Sequence, residues 1–226
     1  SVAGNVLTYS VAKNEGEARE GWIKLSAEGV ETVKVVVKQR KLSSASTEGS
    51  YTKIDKIADL VAGTYLMAGY SESYTYQGTT TTFTPYPWHF WTGGQTTTTE
   101  KMYLYTVNYS YEDGALTINP DLSEEDAEKG VAAEIELVAV ADKANVYYIK
   151  YNGKYLNCSG KHTIALIDTP VEWTFADHSK GGIQITDNTK AGGVILGTGA
   201  AKSNILRCYL AAASSLVYGV AFFKKN

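Results

Sequence analysis

Val146-Tyr147-Tyr148-Ile149-Lys150-Tyr151-Asn152-Gly153-Lys154-Tyr155-Leu156-Asn157 is the stretch that decides the fold. Two short runs rich in Tyr, Ile and Val flank Asn-Gly, the dipeptide that accepts the positive φ angles of a type I′ turn. That pattern is a β-hairpin, and most apolar positions from Tyr147 to Phe175 then belong to a core. The same grammar spreads outward at the spacing of about 8 to 12 residues expected of all-β domains. Strands are expected at Tyr103–Tyr111, Leu116–Ile118, Ala133–Val140, Thr163–Ile167, Trp173–Ala176, Ile183–Thr186, Val194–Leu196, Ile205–Leu210 and Val217–Phe223. Gly, Asn and Asp turns, such as Asp113-Gly114, separate them. The chain is therefore expected to be all-β, with an antiparallel β-barrel or sandwich over residues 51–226.

Toward the N-terminus the alternation continues at Val6–Val11, Gly21–Ser26 and Glu31–Lys38, each with one polar face. Lys41–Ser50 is polar and reads as a linker between two domains, residues 1–40 and 51–226. Beyond it, Ile54, Ile57 and Leu60-Val61 sit at helical spacing until Gly63, and Thr64–Ala68 opens a strand. Asp55 and Asp59 would share one face of that helix. Residues 71–100 break the pattern: Ser, Thr, Tyr and Gly dominate, with Thr79–Thr82 and Thr96–Thr99 on either side of an aromatic knot. Ser123-Glu124-Glu125-Asp126 has the form of a helix N-cap and predicts one helical turn.

Composition narrows the function. The chain of 226 residues carries 21 Lys plus Arg against 24 Asp plus Glu, a net charge of −3. No basic surplus exists to neutralise phosphates, so nucleic acid is not an expected partner. Tyr is abundant at 17, while His, at 3, and Cys, at 2, leave little material for a metal site. His89, His162 and His178 are scattered without a His-x-x-x-His pair, so neither a metal nor a cofactor is expected. No Gly-x-Ser-x-Gly elbow and no Cys–His constellation exists, and a nucleophile to serve Asp177-His178 is not evident. Gly197-Thr198-Gly199-Ala200-Ala201-Lys202-Ser203 imitates a phosphate loop, but Ala201 stands where Gly is needed and a strand follows instead of a helix. The acidic run Glu124–Glu128 reads as a solvated helix start. No run reaches the roughly 18 apolar residues of a membrane helix. Ser1–Asn5 lacks the basic and apolar regions of a leader and is taken as the start of a trimmed or mature chain. Cys158 and Cys208 are either two buried thiols or one bridge.

The first 39 residues resemble the closing part of a BACON domain, an immunoglobulin-like module of Bacteroidetes surface proteins. Tyr9–Asn14, Ala18-Arg19, Ile23–Ser26 and Val33–Val37 ending at Gln39 carry the resemblance; the opening half of such a module is missing. Residues 51–226 resemble a recurrent β module of exported Bacteroidetes proteins with no assigned activity. There the carrying residues are Ala62–Leu66, Tyr147–Ile149 with Gly153–Leu156, Glu172–Phe175, and Arg207–Tyr209 with Phe222–Lys225. The resemblance implies partial immunoglobulin-like strands followed by a β module. It also implies an exported protein at the cell surface or in the periplasm, lipid-anchored in its full-length precursor, and carbohydrate as a partner.

The candidate site is the knot Phe83-Thr84-Pro85-Tyr86-Pro87-Trp88-His89-Phe90-Trp91. Sugar C–H faces pack on aromatic rings, and hydroxyls take polar neighbours. Tyr76, Tyr86, Trp88 and Trp91 would form the platform, with His89 and Gln77 or Gln95 as polar contacts. The competing reading buries the same rings as a small core under a long loop. If the knot is a strand, Tyr86, Trp88 and Phe90 point one way and Pro87, His89 and Trp91 point outward. The expectation is a non-catalytic surface protein that binds glycans or glycoproteins. A structural or adhesive scaffold without a small-ligand site is the alternative, and a glycoside hydrolase with paired carboxylates comes third.

Overall fold

The computed structural model describes residues 2–3, 6–7, 19–26, 29, 31–39, 49–96, 102–160, 162–190, 192–199, 202–212 and 217–226. The chain divides into two compact units, Ser1–Thr47 and Glu48–Asn226. In the first, β1 (Val2–Ala3) pairs with β2 (Val6–Leu7), and β3 (Arg19–Leu25) pairs with β4 (Val33–Gln39). Trp22 faces Val36 and Ile23 faces Val35 across the second hairpin. One face half-buries Ile23, Leu25, Val35 and Val37, while Trp22 and Val36 are exposed on the other, the Lys34 ammonium lying 4.5 Å over the Trp22 indole. The remainder of the expected strand Val6–Val11, and the residues of the stretch Lys41–Ser50 up to 48, lie outside the described residues.

The second unit is antiparallel throughout. Its strands are β5 (Tyr51–Ile54), β6 (Gly63–Tyr70), β7 (Ser73–Tyr76), β8 (Thr79–Thr82), β9 (Trp88–Gln95), β10 (Leu104–Glu112) and β11 (Ala115–Ile118). After helix α1 (Glu124–Glu128) come β12 (Glu134–Ala139), β13 (Val146–Tyr151), β14 (Lys154–Gly160), β15 (Thr163–Ile167) and β16 (Trp173–Asp177). The chain ends with β17 (Ile183–Asp187), β18 (Val194–Gly199), β19 (Lys202–Leu210), β20 (Val217–Tyr218) and β21 (Ala221–Lys225). The hairpin quoted first forms as expected, with Asn152 and Gly153 at φ 48° and 77°. Asp113-Gly114, at 50° and 83°, closes β10 onto β11 in the same way.

Pairing runs from β6 through β12, β13, β16, β17, β18, β19, β10 and β9 and returns to β6. The circuit passes β6 along one edge, where β12 pairs with Gly63–Leu66 and β9 with Ala68–Tyr70, while β21 takes the other edge at Leu66–Ala68. The thin junctions are β10–β19, one residue pair at Leu104↔Leu206, and β13–β16, two pairs.

Alternation sends side chains to two cores. Tyr65 and Met67 of β6, Trp91 of β9 and Phe222 of β21 enter a large cluster with Ile149, Trp173, Phe175, Leu196 and Leu206. Their chain neighbours Leu66, Ala68, Phe90 and Phe223 enter a second cluster with Val107, Tyr109 and Leu116. Strands covered on both faces read as unbroken apolar runs, which is the pattern of Tyr65-Leu66-Met67-Ala68 and Phe90-Trp91.

Two expectations fail. Residues 51–66 hold no α-helix: β5 pairs with β21, Ile54 opposite Phe222, and only a 3-10 turn forms at Ile57–Asp59. Cross-strand pairing outweighs a few apolar residues at helical spacing. Asp55 therefore shares no helical face with Asp59 and pairs with Lys53 at 2.7 Å. Residues 71–96 are not a long loop either, because β7 and β8 form a threonine-rich hairpin and the aromatic knot leads into β9. No helix among the described residues is long and apolar enough to cross a membrane.

Candidate functional site

Strand β9 sets the fate of the aromatic knot. The alternation is as expected, yet His89, Phe90 and Trp91 are buried on both faces and only the ends of the strand are partly open. Trp91 is fully buried, its Nε1 donating to the Gly94 carbonyl at 2.8 Å and its ring 5.3 Å from that of Tyr151. His89 is fully buried too, with Nδ1 3.1 Å from Asn108 Oδ1 and the Phe83 ring against it at 4.7 Å. Burial pushes the His89 pKa down from 6.5 to about 4, against the opposing pull of its Asn108 and Ser71 contacts. The imidazole is therefore neutral at pH 7 and part of the packing.

The proposed platform does not assemble. Trp91 and His89 face the interior, where no ligand reaches them, because β9 lies between two cores. Tyr86 is half-buried, and its carbonyl accepts from Asn108 Nδ2 at 3.2 Å. Tyr76 lies on β7 and its side chain is outside the described residues. Gln77 is exposed at the tip of the β7–β8 hairpin, and Gln95 is half-buried at the end of β9. Trp88 is half-buried and lines a groove.

That groove, of about 460 Å³, brings together residues distant in sequence. Tyr70 sits opposite Trp88 in the β6–β9 register, and the rings meet edge to face at 4.8 Å. Trp88 rests on Phe223 beneath, at 5.1 Å. Tyr70 and Tyr218 remain 43% and 37% exposed, high values for tyrosines beside a packed core. The Glu72 carboxylate accepts the Tyr70 hydroxyl at 2.6 Å and is the main reason its pKa is pushed up to about 12.

Glycines make the floor. The bridge Ile183↔Val220 brings Gly181-Gly182 against Gly219 so closely that a Cβ on Gly219 would lie 2.8 Å from the Gly181 carbonyl oxygen. Backbone is therefore exposed between the aromatic walls. Asp177-His178 forms no dyad with a nucleophile among the described residues and builds the turn instead. Asp177 Oδ1 accepts from Ile57 N at 2.8 Å, and His178 Nδ1 accepts from Lys180 N at 3.0 Å. This places the Lys180 ammonium 4.8 Å over the Tyr218 ring, while Lys53 lies 5.6 Å over Trp88. Such contacts are worth about 0.5–1 kcal/mol each when exposed.

Other expectations find their place. Ser123 caps α1, its Oγ accepting from Asp126 N at 3.0 Å. Lys129 gathers the acidic run, 2.6 Å from Asp126 and 3.4 Å from Glu125, beside a polar cavity of about 470 Å³. The segment Gly197–Ser203 joins β18 to β19 as antiparallel strands, with residues 200–201 outside the described set. Cys158 and Cys208 are paired as a disulfide with Cα atoms 6.1 Å apart. Among the described residues no group of His, Cys, Asp and Glu is arranged to hold a metal ion.

Sequence reasoning missed Tyr70 and Tyr218. Tyr70 closes an apolar strand, and Tyr218 lies 130 positions after Trp88 (218 − 88). The doublet Gly181-Gly182 and Gly219 signal a close backbone approach, but only the fold pairs them. No known protein-family model, curated protein or solved structure matches this chain.

Proposed function

We propose that the chain is a non-catalytic surface module that binds glycans or glycoproteins through the groove of Tyr70, Trp88 and Tyr218. One observation carries this reading: an open groove has aromatic walls, a bare backbone floor and charged groups at its rim. Sugar rings stack their C–H faces on such walls and offer hydroxyls to backbone and charged partners. Among the described lining residues the one carboxylate, Asp55, is engaged by Lys53 at 2.7 Å, whereas glycoside hydrolysis uses two carboxyl groups flanking the bond. The Cys158–Cys208 bridge favours an oxidising compartment, in keeping with an exported, lipid-anchored protein and with the BACON-like character of residues 1–40.

A glycan array followed by calorimetry tests the reading. Binding is expected, and it should be lost in a Trp88→Ala, Tyr218→Ala double variant that still folds. Absence of binding, or binding unchanged in that variant, rejects the groove. One specific observation favours a purely structural or adhesive scaffold: Trp91 and His89, the centre of the knot, are spent on the core. That alternative predicts an empty array.

A further inference from the structure

We propose that Arg207 and Tyr209 form a separate binding site, one that takes an oxyanion: a carboxylate, sulfate or phosphate group. The site shares no lining residue with the groove and does not depend on the groove reading. Both side chains stand two residues apart on β19 and so project from the same face. The Arg207 guanidinium lies 4.9 Å over the Tyr209 ring, which clusters with Ile195 and Val217. Tyr209 is only 8% exposed, whereas Arg207 is half-buried and in reach of solvent.

Two donors at this place have nothing to donate to. Arg207 Nε and the Tyr209 hydroxyl are both buried, and neither reaches a partner among the described residues. No ion pair among the described residues neutralises Arg207 either. Other buried tyrosines of the unit are satisfied: the hydroxyls of Tyr65 and Tyr147 donate to the Val61 and Leu60 carbonyls, and that of Tyr109 accepts from Ala132 N. A buried donor left unpaired is costly, and a buried charge more so. One oxyanion answers both. The Nε edge of a guanidinium presents parallel donors that match two oxygens of a carboxylate, sulfate or phosphate, and the tyrosine hydroxyl adds another. Gly199 makes the placement possible, because a Cβ there would come within 2.3 Å of the Tyr209 hydroxyl oxygen.

The test follows the arginine Nε–H resonances of the isotope-labelled full chain by NMR during titration with sodium acetate, sulfate and phosphate at constant ionic strength. Arg19, Arg40 and Arg207 are the arginines of the chain, so the Arg207 signal is assigned by its loss in Arg207→Gln. At least one anion should shift that signal to saturation with a Kd on the order of 1 mM and leave the signals of Arg19 and Arg40 in place. Response to acetate alone assigns the site to a planar carboxylate; response to sulfate or phosphate extends it to tetrahedral groups. Tyr209→Phe keeps the packed ring, removes only the hydroxyl and should weaken the binding about tenfold or more. An Arg207 signal that no anion moves, as when water satisfies both donors, overturns the site. An equal drift of all the arginine signals, or full affinity in Tyr209→Phe, overturns it as well. None of these outcomes touches the glycan array, so the groove reading stands or falls separately.

Discussion

Trp88 and Trp91 lie three positions apart on one strand and should respond to mutation in opposite ways. Trp91 is fully enclosed among the large core residues, and its Nε1–H satisfies the Gly94 carbonyl. Trp91→Ala removes the indole from a site walled by strands. It should destabilise the unit by about 3–5 kcal/mol, with about 1 kcal/mol more for the carbonyl left without its donor. At roughly 2–4 °C per kcal/mol for a domain of this size, the midpoint of thermal unfolding should fall by about 8–24 °C. Trp88 is half-buried, with Tyr70 and Phe223 at its edges and open groove beyond. Trp88→Ala should cost only about 1–2 kcal/mol while abolishing glycan binding. Urea unfolding followed by circular dichroism measures both. A Trp91→Ala variant within 1 kcal/mol of the parent, or a Trp88→Ala variant more destabilised than it, would refute the assignment of one ring to the core and the other to the groove.

Three further outcomes follow from the packing. The disulfide closes a loop with a sequence separation of 50, so a Cys158→Ala, Cys208→Ala chain should be less stable by about 4 kcal/mol on chain-entropy grounds, read as a shift of the urea midpoint. An unchanged midpoint argues against a structural bridge. His89 is held neutral in the fold with a pKa of about 4 against 6.5 when unfolded, so the unfolded chain binds the extra proton between those values. Its contribution is complete above pH 6.5 and is lost as pH falls toward 4, on the order of 3 kcal/mol. His89→Gln should flatten that part of the stability–pH curve, and an identical curve in the variant would remove His89 as the cause. Gly219→Ala would thrust a methyl at the backbone of Gly181, Gly182 and Ile183, all within 2.9 Å. It should cost about 1–3 kcal/mol and weaken glycan binding, whereas a stable variant with full affinity would show that the crossing is looser than drawn.

The all-β character and most strand positions were legible, because Asn-Gly and Asp-Gly turns and period-two patterns are local signals. β13 and β15 fall at their expected bounds, Val146–Tyr151 and Thr163–Ile167. The β5 strand was hidden, since its partner β21 lies at the far end of the chain and Ile54, Ile57 and Leu60 imitate a helix. The knot stands out in the sequence, yet His89, Phe90 and Trp91 at its centre are packed inside. Local alternation shows that Trp91 and Phe90 point apart, but not that a second layer waits on each side. Trp88 was in view, whereas Tyr70 and Tyr218 join it only through strand register and the Gly182–Gly219 crossing. That information is topological and absent from any short stretch.

The most direct test of the central claim is a crystal structure of the chain soaked with the tightest glycan from the array. The account predicts a sugar ring stacked on Trp88 or Tyr218, with Lys180 swung off its tyrosine and hydroxyls near the Gly181–Gly219 backbone. A glycan bound elsewhere, with this groove unchanged and Lys180 still over Tyr218, would contradict it.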